Sequence, residues 1–360
     1  MLSLIYPYRN RDLKRISRSL ESLSSQTSNK FKVKFVDYGS SISHSKEVKA
    51  LVSTYSFASY TYYHTQHQPW NKSRALNSVI KTLEDGYCFV ADVDMIFRND
   101  FVETAMQLQN PNTAVYFKVG FLSEKETERD TSFSDYTIKF ESTDGATGLT
   151  MFPVKILKEI RGFDEFYHFW GSEDTDVHVR LKNAGYGVEF YEKDILMLHQ
   201  WHKTYRLKEV KELSRELQLS DVVRLNYQHL QTAINENKTI ANNEFWGQVQ
   251  TKQQETQCLE ALQRSSTIPN VKETIDHFVF VDLPQLKSGT HAFKFIEDQT
   301  NKTLKYKTKK ALNKRVDTFY NLKEVNDILL LHIIALYRNL PYIYKVSEDK
   351  SYIEFSIHIA

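Results

Sequence analysis

The chain has 360 residues, 41% of them hydrophobic and 26% charged, with a formal net charge of +2. That length allows more than one domain, and the even charge balance gives no footing for nucleic-acid binding. Its two cysteines, Cys88 and Cys258, make neither a disulfide framework nor a zinc spacing. No stretch reaches the ~20 apolar residues of a bilayer span, and the longest run, 328–336, is interrupted by His332. The N-terminus lacks a signal-peptide layout. The expectation is therefore a cytoplasmic protein, with peripheral contact at the inner membrane face left open.

Over the first 200 residues, short apolar strands alternate with helical patterns. Residues 2–6 read as a buried strand, and 11–23 as an amphipathic helix with Leu13, Ile16, Leu20 and Leu23 inward. A strand at 31–37, a helix at 47–55 and a strand at 60–64 follow. Asn71 then reads as the N-cap of a helix burying Ala75, Leu76, Val79, Ile80 and Leu83. A strand at 87–91 ends at Asp92-Val93-Asp94. This rhythm implies an α/β fold, a mostly parallel sheet with helices on both faces. Ligands of such sheets sit beyond the carboxyl ends of the strands.

The texture changes near residue 206. Charged helices are expected at 207–219 and 221–235, with a polar linker at 236–243. A small α+β unit should follow, with strands at 277–283, 342–346 and 352–359 and a helix at 325–338. The expected domains are 1–205, a helical extension 206–265, and 266–360. Aromatic residues make up 13% of the chain, and they are expected mainly in its core.

Three clusters carry chemistry. Asp92 and Asp94 at a strand end offer hard oxygen ligands, which suit Mn²⁺ or Mg²⁺ rather than zinc. Glu173, Asp174 and Asp176 crowd together beside Trp170 and Gly171, an arrangement that raises at least one carboxyl pKa and suits a general base. Trp170 offers a flat face to a sugar ring. His199 and His202, the third cluster, close an apolar strand at 195–198, and one of them is expected to complete the metal sphere. In a continuous strand their side chains would point to opposite faces.

Four motifs occur in an order that resembles β-1,4-galactosyltransferases and the galactosyltransferase-like domains of bacterial family 2 enzymes, including chondroitin-polymerase-type proteins. They are Tyr6-Pro7-Tyr8-Arg9-Asn10-Arg11, Trp70-Asn71-Lys72-Ser73-Arg74-Ala75-Leu76-Asn77, Asp92-Val93-Asp94 and Trp170-Gly171-Ser172-Glu173-Asp174. The resemblance covers about residues 1–205 and implies a GT-A (Rossmann-like) fold with inverting, metal-dependent transfer from a UDP-sugar. It implies that Pro7, Tyr8, Arg9 and Arg11 hold the uridine and diphosphate and that Asp37 contacts the base. Lys72 and Arg74 would lie near the phosphates. Asp92 would face the ribose, with Val93 beside it among the donor contacts, and Asp94 would bind the metal. Gly148 would approach the donor sugar through its backbone. Trp170 would stack on the acceptor and Asp174, with Glu173 beside it, would be the catalytic base.

Two departures from the family pattern stand out. Family 2 members often carry two acidic residues where this chain has Asp37-Tyr38, and the spacing after Met197 leaves the metal ligand open between His199 and His202, with His199 slightly preferred. The donor guess is UDP-galactose or UDP-N-acetylgalactosamine, and the acceptor a glycan or lipid-linked glycan of a bacterial surface. The rivals are a sugar nucleotidyltransferase, which needs a Gly-rich loop after the first strand, and a binding protein that has lost catalysis. The polar stretch 120–143 is weighed as a lid over the donor against plain mobile surface, and the basic stretch 302–315 as a solvated helix face against a contact for an anionic membrane surface or an acidic glycan.

Overall fold

The computed structural model describes residues 1–203, 212–243 and 245–360. Its contacts divide into two compact units. One comprises Met1–Gln66, Trp70–Leu207 and Val223–Val249, and the other comprises His67–Pro69, Lys208–Val222 and Gln250–Ala360.

The first unit opens with β1 (Leu2–Tyr8), α1 (Leu13–Ser24), β2 (Phe31–Asp37), α2 (Ile42–Ser53), β3 (Ala58–Tyr62), α3 (Lys72–Ile80), β4 (Tyr87–Val90) and β5 (Met95–Phe97). It continues through α4 (Phe101–Gln107), β6 (Thr113–Phe117), β7 (Gly120–Leu122), α5 (Glu124–Thr127), β8 (Ile138–Glu141), β9 (Thr150–Pro153) and α6 (Val154–Glu159). It ends with α7 (Glu173–Asn183), β10 (Gly187–Tyr191), β11 (Met197–His199) and α8 (Val222–Asn235).

Seven strands form one sheet in the order β10-β6-β9-β4-β1-β2-β3. It is parallel except at β9, which runs antiparallel to both β4 and β6. The expected α/β architecture is the observed one. Strand β1 shows why the sequence reads as a continuous apolar run. Leu2, Leu4, Tyr6 and Tyr8 enter the layer with α1 and α2, while Ile5 enters the opposite layer with α3 and α6. Both faces of a covered sheet bury their side chains. Phe89, Phe97, Phe101 and Phe117 interlock in the first layer, with Phe97 and Phe101 centroids 4.7 Å apart, so much of the aromatic content is core.

A second sheet, β5-β11-β7-β8, carries the end of this unit. It takes in the polar stretch 120–143, which is not one long loop. That stretch is built from β7, α5, a short 3-10 turn at Phe133–Asp135 and β8, and Phe121 stacks on Phe140 with centroids 4.6 Å apart. Helix α2 also begins five residues earlier than expected, at Ile42, where the Ser41 hydroxyl accepts from the His44 N–H as an N-cap.

The second unit contains α9 (Lys252–Ala261), β12 (Ser266–Pro269), α10 (Lys272–His277), β13 (Gly289–Ile296), α11 (Leu304–Ala311), α12 (Leu322–His332), β14 (Tyr342–Val346) and β15 (Tyr352–Ile359). Its sheet runs β12-β13-β15-β14. The expected strand at 277–283 is helical, continuing α10 through a wide turn at Phe278–Asp282. Phe278, Val279 and Leu283 are buried while Phe280 and Val281 face outward, a helical rather than an alternating pattern. Short apolar runs do not distinguish the two by hydrophobicity alone. Of the helix expected at 207–219, residues 207–211 lie outside the described residues, and 212–219 form no helix. No helix among the described residues is long and apolar enough to cross a membrane.

Candidate active site

The chain crosses from one half of the main sheet to the other between β1 and β4, and ligands of α/β sheets bind at such a switch point. Tyr8-Arg9 leaves β1 there. The Arg9 guanidinium donates to the carbonyls of Tyr38 and Thr65, both at 2.6 Å, and lies over the rings of Tyr38 and Trp70. It staples the connections that follow β1, β2 and β3. Asp37 is fully buried and accepts from the Ser40 N–H at 2.8 Å and the Tyr60 hydroxyl at 2.7 Å. Burial raises its pKa. Tyr8 donates to the Arg11 carbonyl at 3.2 Å, and burial, then Asp37, push its phenol up to about 12. Pro7 lies in β1 opposite Val36, and Arg11 is exposed. The expected nucleotide-holding segment is therefore gathered at one rim, with Arg9 and Asp37 bonded into its turns.

Beyond β4, Asp92-Val93-Asp94 turns directly into β5. Val93 is buried in the core layer and fixes the turn, so that the flanking carboxylates face away from it. Met95 pairs with His199 across β5 and β11, which brings the third cluster beside the first. Strand β11 stops at His199, and the Gln200 N–H donates to the Asp94 carbonyl at 3.1 Å. That break turns His202 back. Its Nε2 lies 3.3 Å from Asp94 Oδ2, and His199 Nε2 lies 3.8 Å from Asp94 Oδ1. The opposite-face constraint of a continuous strand does not apply, and both histidines reach Asp94. The potential ligand atoms of Asp94, His199 and His202 all lie within 4.8 Å of one another.

The chemistry of this cluster fits a divalent cation. Asp94 Oδ1 is buried and accepts no hydrogen bond, an arrangement that costs free energy unless a partner binds there. His202 Nδ1 lies 3.0 Å from the Lys203 carbonyl. A proton on that nitrogen leaves Nε2 as the lone-pair donor towards Asp94, the backing that metal-bound histidines commonly have. His199 stacks on Phe121 at 4.9 Å, which holds its ring in place.

Lys72 opens α3, whose N-cap Asn71 accepts from the Arg74 N–H at 2.8 Å. Its ammonium lies 3.1 Å from Asp174, 3.7 Å from Asp92 and 3.7 Å from Glu173. Asp174 feels burial first, the Lys72 cation against it, then the like charges of Glu173 and Asp92, and its pKa is raised to about 7. Burial works against the ionised form of Asp92 as well, but Lys72, then His199 and His202, hold it below the usual range. Asp92 thus stands electrostatically between the metal-type cluster and the Lys72–Asp174 pair. Gly148 lies against Asp174, where a Cβ would sit 3.2 Å from Oδ2.

The segment presenting these groups is held in a sharp turn. Phe169 (φ 63°), Gly171 (φ 107°) and Ser172 (φ 70°) are all left-handed, and such backbone persists only where its surroundings enforce it. Asn226 of α8 supplies part of that, donating to the carbonyls of His168 (3.1 Å) and Trp170 (3.0 Å). Asn71 donates to the Glu165 carbonyl at 2.8 Å. Glu173 accepts from the Gly171 N–H at 3.0 Å. Trp170, half-buried, lines a small cleft with Lys72, Phe169 and Glu173.

Two expectations change. Arg74, expected beside the phosphates, is turned inward to a buried ion pair with Glu165 at 2.7 Å, and Glu165 also accepts from Asn77 and the Gly247 N–H. Asp176, counted in the acidic crowd, is also turned inward. It pairs with fully buried Arg180 at 2.7 Å and accepts from Tyr167, while Arg180 spans the carbonyls of Ile160 and Gly162. Glu165 and Asn226 are supporting residues that the sequence does not single out, because neither stands in a motif.

Comparison with known proteins bears on this arrangement. The family described as glycosyl transferase family 2 matches residues 3–160, and the one described as the N-terminal domain of galactosyltransferase matches residues 127–205. No curated protein matches the sequence. Similar solved structures include the mannosyltransferase PcManGT from Pyrobaculum calidifontis in complex with GDP-Man and Mn²⁺, at 16% identity and TM-score 0.42, over 57% of this chain and 58% of that one. They also include S. aureus TarS, at 16% identity and TM-score 0.41, over 56% and 36%. A third is GalNAc-T7 with UDP, GalNAc and Mn²⁺, at 12% identity and TM-score 0.48, over 66% and 49%. The match thus spans between 36% and 58% of those proteins' own lengths. The two family matches overlap and together run from β1 through both histidines, so residues 3–205 form a GT-A domain of the family 2, galactosyltransferase-like type.

Proposed function

We propose that this protein is an inverting, divalent-metal-dependent glycosyltransferase, moving a hexose or N-acetylhexosamine from a UDP-sugar to a glycan hydroxyl. The observation that carries the reading is the position of Asp92, coupled to Lys72 on one side and to His199 and His202 on the other. It joins a candidate metal centre and a candidate base into one site.

Asp94, His199 and His202 would hold the cation. Two imidazoles in the set favour Mn²⁺ over Mg²⁺, which prefers oxygen ligands. Bound there, it supplies positive charge beside the diphosphate leaving group.

The remaining chemistry belongs to the chain. Asp174, with its pKa near 7, takes the proton of the acceptor hydroxyl as that oxygen attacks the anomeric carbon, a contribution of about 10²–10⁴-fold in rate. Attack on the side opposite the nucleotide inverts the configuration. Lys72 tempers the charge on Asp174 and stands within reach of the developing phosphate charge. Asp92 addresses the ribose, Gly148 leaves room for the donor sugar, and Trp170 and Glu173 border the acceptor side. The nucleotide rests on the rim formed by Pro7, Tyr8, Arg9, Arg11 and Asp37.

The acceptor is a glycan or lipid-linked glycan, in keeping with bacterial surface polysaccharide assembly on the cytoplasmic side. Anomeric configuration of the product, read by nuclear magnetic resonance after reaction with an α-linked UDP-sugar, tests the mechanism. A β-linked product supports single inversion and an α-linked product contradicts it.

A further inference from the structure

Helix α11 (Leu304–Ala311) has no buried residue. Within 302–315 stand Lys302, Lys305, Lys307, Lys309, Lys310, Lys314 and Arg315, and no acidic residue occurs between Asp298 and Asp317. Yet the segment is not uniformly polar. Leu304 is 83% exposed and Leu312 is 61% exposed.

The direction of each side chain follows from ~100° of turn per residue. Leu304, Thr308 and Ala311 fall on one face, with Leu312 at its edge and Lys305 and Lys307 flanking it. Tyr306 falls on the opposite side. There it is tied down, its hydroxyl donating to the Asp317 carbonyl at 2.9 Å and its ring meeting Phe319 edge-on at 5.8 Å. The helix is thus attached by Tyr306 and presents its leucines outward. This reverses the orientation of an ordinary surface helix, whose apolar stripe faces the core.

Its ends do not depend on apolar burial. Thr303 caps the start by accepting from the Tyr306 N–H at 3.2 Å. Asn313, at φ 52°, closes the end, with Asn313 N–H on the Lys310 carbonyl and Lys314 N–H on the Lys309 carbonyl, a Schellman arrangement. The chain therefore keeps a short helix whose apolar face has no partner within the described residues.

We propose that α11 docks on an anionic lipid bilayer, its lysines on the headgroups and Leu304 and Leu312 in the interfacial layer. Charge complementarity selects the surface, because a block of cations without acids is attracted to anionic headgroups. The outward leucines select lipid over a polyanionic glycan, since only a bilayer offers apolar depth beneath its charge. The proposal rests on α11 alone, so it stands or falls separately from the catalytic reading.

The test is co-sedimentation of the full chain with vesicles of phosphatidylcholine alone and of phosphatidylcholine with about 30% phosphatidylglycerol. Binding is expected only to the anionic vesicles, weakening about five-fold for each of Lys305 and Lys307 changed to Gln. The Leu304→Ser/Leu312→Ser double variant should also bind more weakly, and a Leu304→Trp variant should gain a blue-shifted emission with anionic vesicles. Thermal unfolding of each variant should match the parent, because the changed side chains are exposed. No binding to anionic vesicles overturns the proposal. So does vesicle binding that ignores both leucines and is equalled on dextran sulfate, which identifies a polyanion surface instead.

Discussion

Lys72 Nζ lies 3.1 Å from Asp174 Oδ2 while remaining 3.7 Å from both Asp92 and Glu173. One ammonium therefore serves three carboxylates, and the carboxylate nearest to it still has its pKa raised to about 7 by burial. The cation keeps Asp174, the proposed base, from being more fully protonated. Lys72→Met should move the lower limb of the kcat/KM against pH profile to higher pH and reduce turnover at pH 7 by about 10²-fold. An unchanged inflection would show that Lys72 does not act on the base.

The same carboxyl links activity to stability in opposite directions. Its folded pKa is raised above the unfolded value, so the folded state binds the proton more tightly. Stability contributed by this group therefore falls as pH rises from the ordinary carboxylate range through about 7. Asp174→Asn removes that loss. The variant should melt no lower than the parent at pH 8, bind the donor nearly as well, and lose about 10²–10⁴-fold in turnover. Calorimetry, donor titration and initial rates check the three, and an equal loss of binding and turnover would defeat the base assignment.

Two residues further on, the expected effect reverses. Asp176 is the buried counter-ion of Arg180, with both side chains 1% exposed. Removing one member leaves a buried charge uncompensated, which costs about 3–5 kcal/mol. Asp176→Ala should lower the denaturant midpoint by a corresponding amount. A midpoint within experimental error of the parent would show that Arg180 finds other compensation.

For the candidate metal centre, the geometry sets Asp94 above either histidine alone. Changes to groups behind a metal's ligands cost about 10–100-fold in affinity, so Asp94→Ala should weaken Mn²⁺ binding by at least about 10²-fold. His202→Ala and His199→Ala should each weaken it measurably by isothermal titration. If one histidine variant retains parental affinity, the other is the sole imidazole ligand.

Much of this was legible in the sequence because it is local. The β1 to β4 rhythm, the Asn71 cap and the acid-rich start of α7 each declare themselves within a few residues. What resisted reading depends on partners distant in the chain. Arg74 and Asp176 look like surface charges until Glu165 and Arg180 turn them inward. The two histidines look mutually exclusive until Gln200 bonds to the Asp94 carbonyl and ends the strand. The 277–283 run looks like a strand because its apolarity is continuous, and only the exposure of Phe280 and Val281 reveals the helix.

The measurement closest to the central claim is turnover and binding of a panel of UDP-sugars by the intact chain, with Mn²⁺ and with excess EDTA. One UDP-sugar should be bound and consumed with Mn²⁺, and its turnover lost with EDTA and restored by added Mn²⁺. Turnover that is indifferent to EDTA, or no binding of any UDP-sugar in either condition, would contradict the account of Asp92, Asp94 and the two histidines.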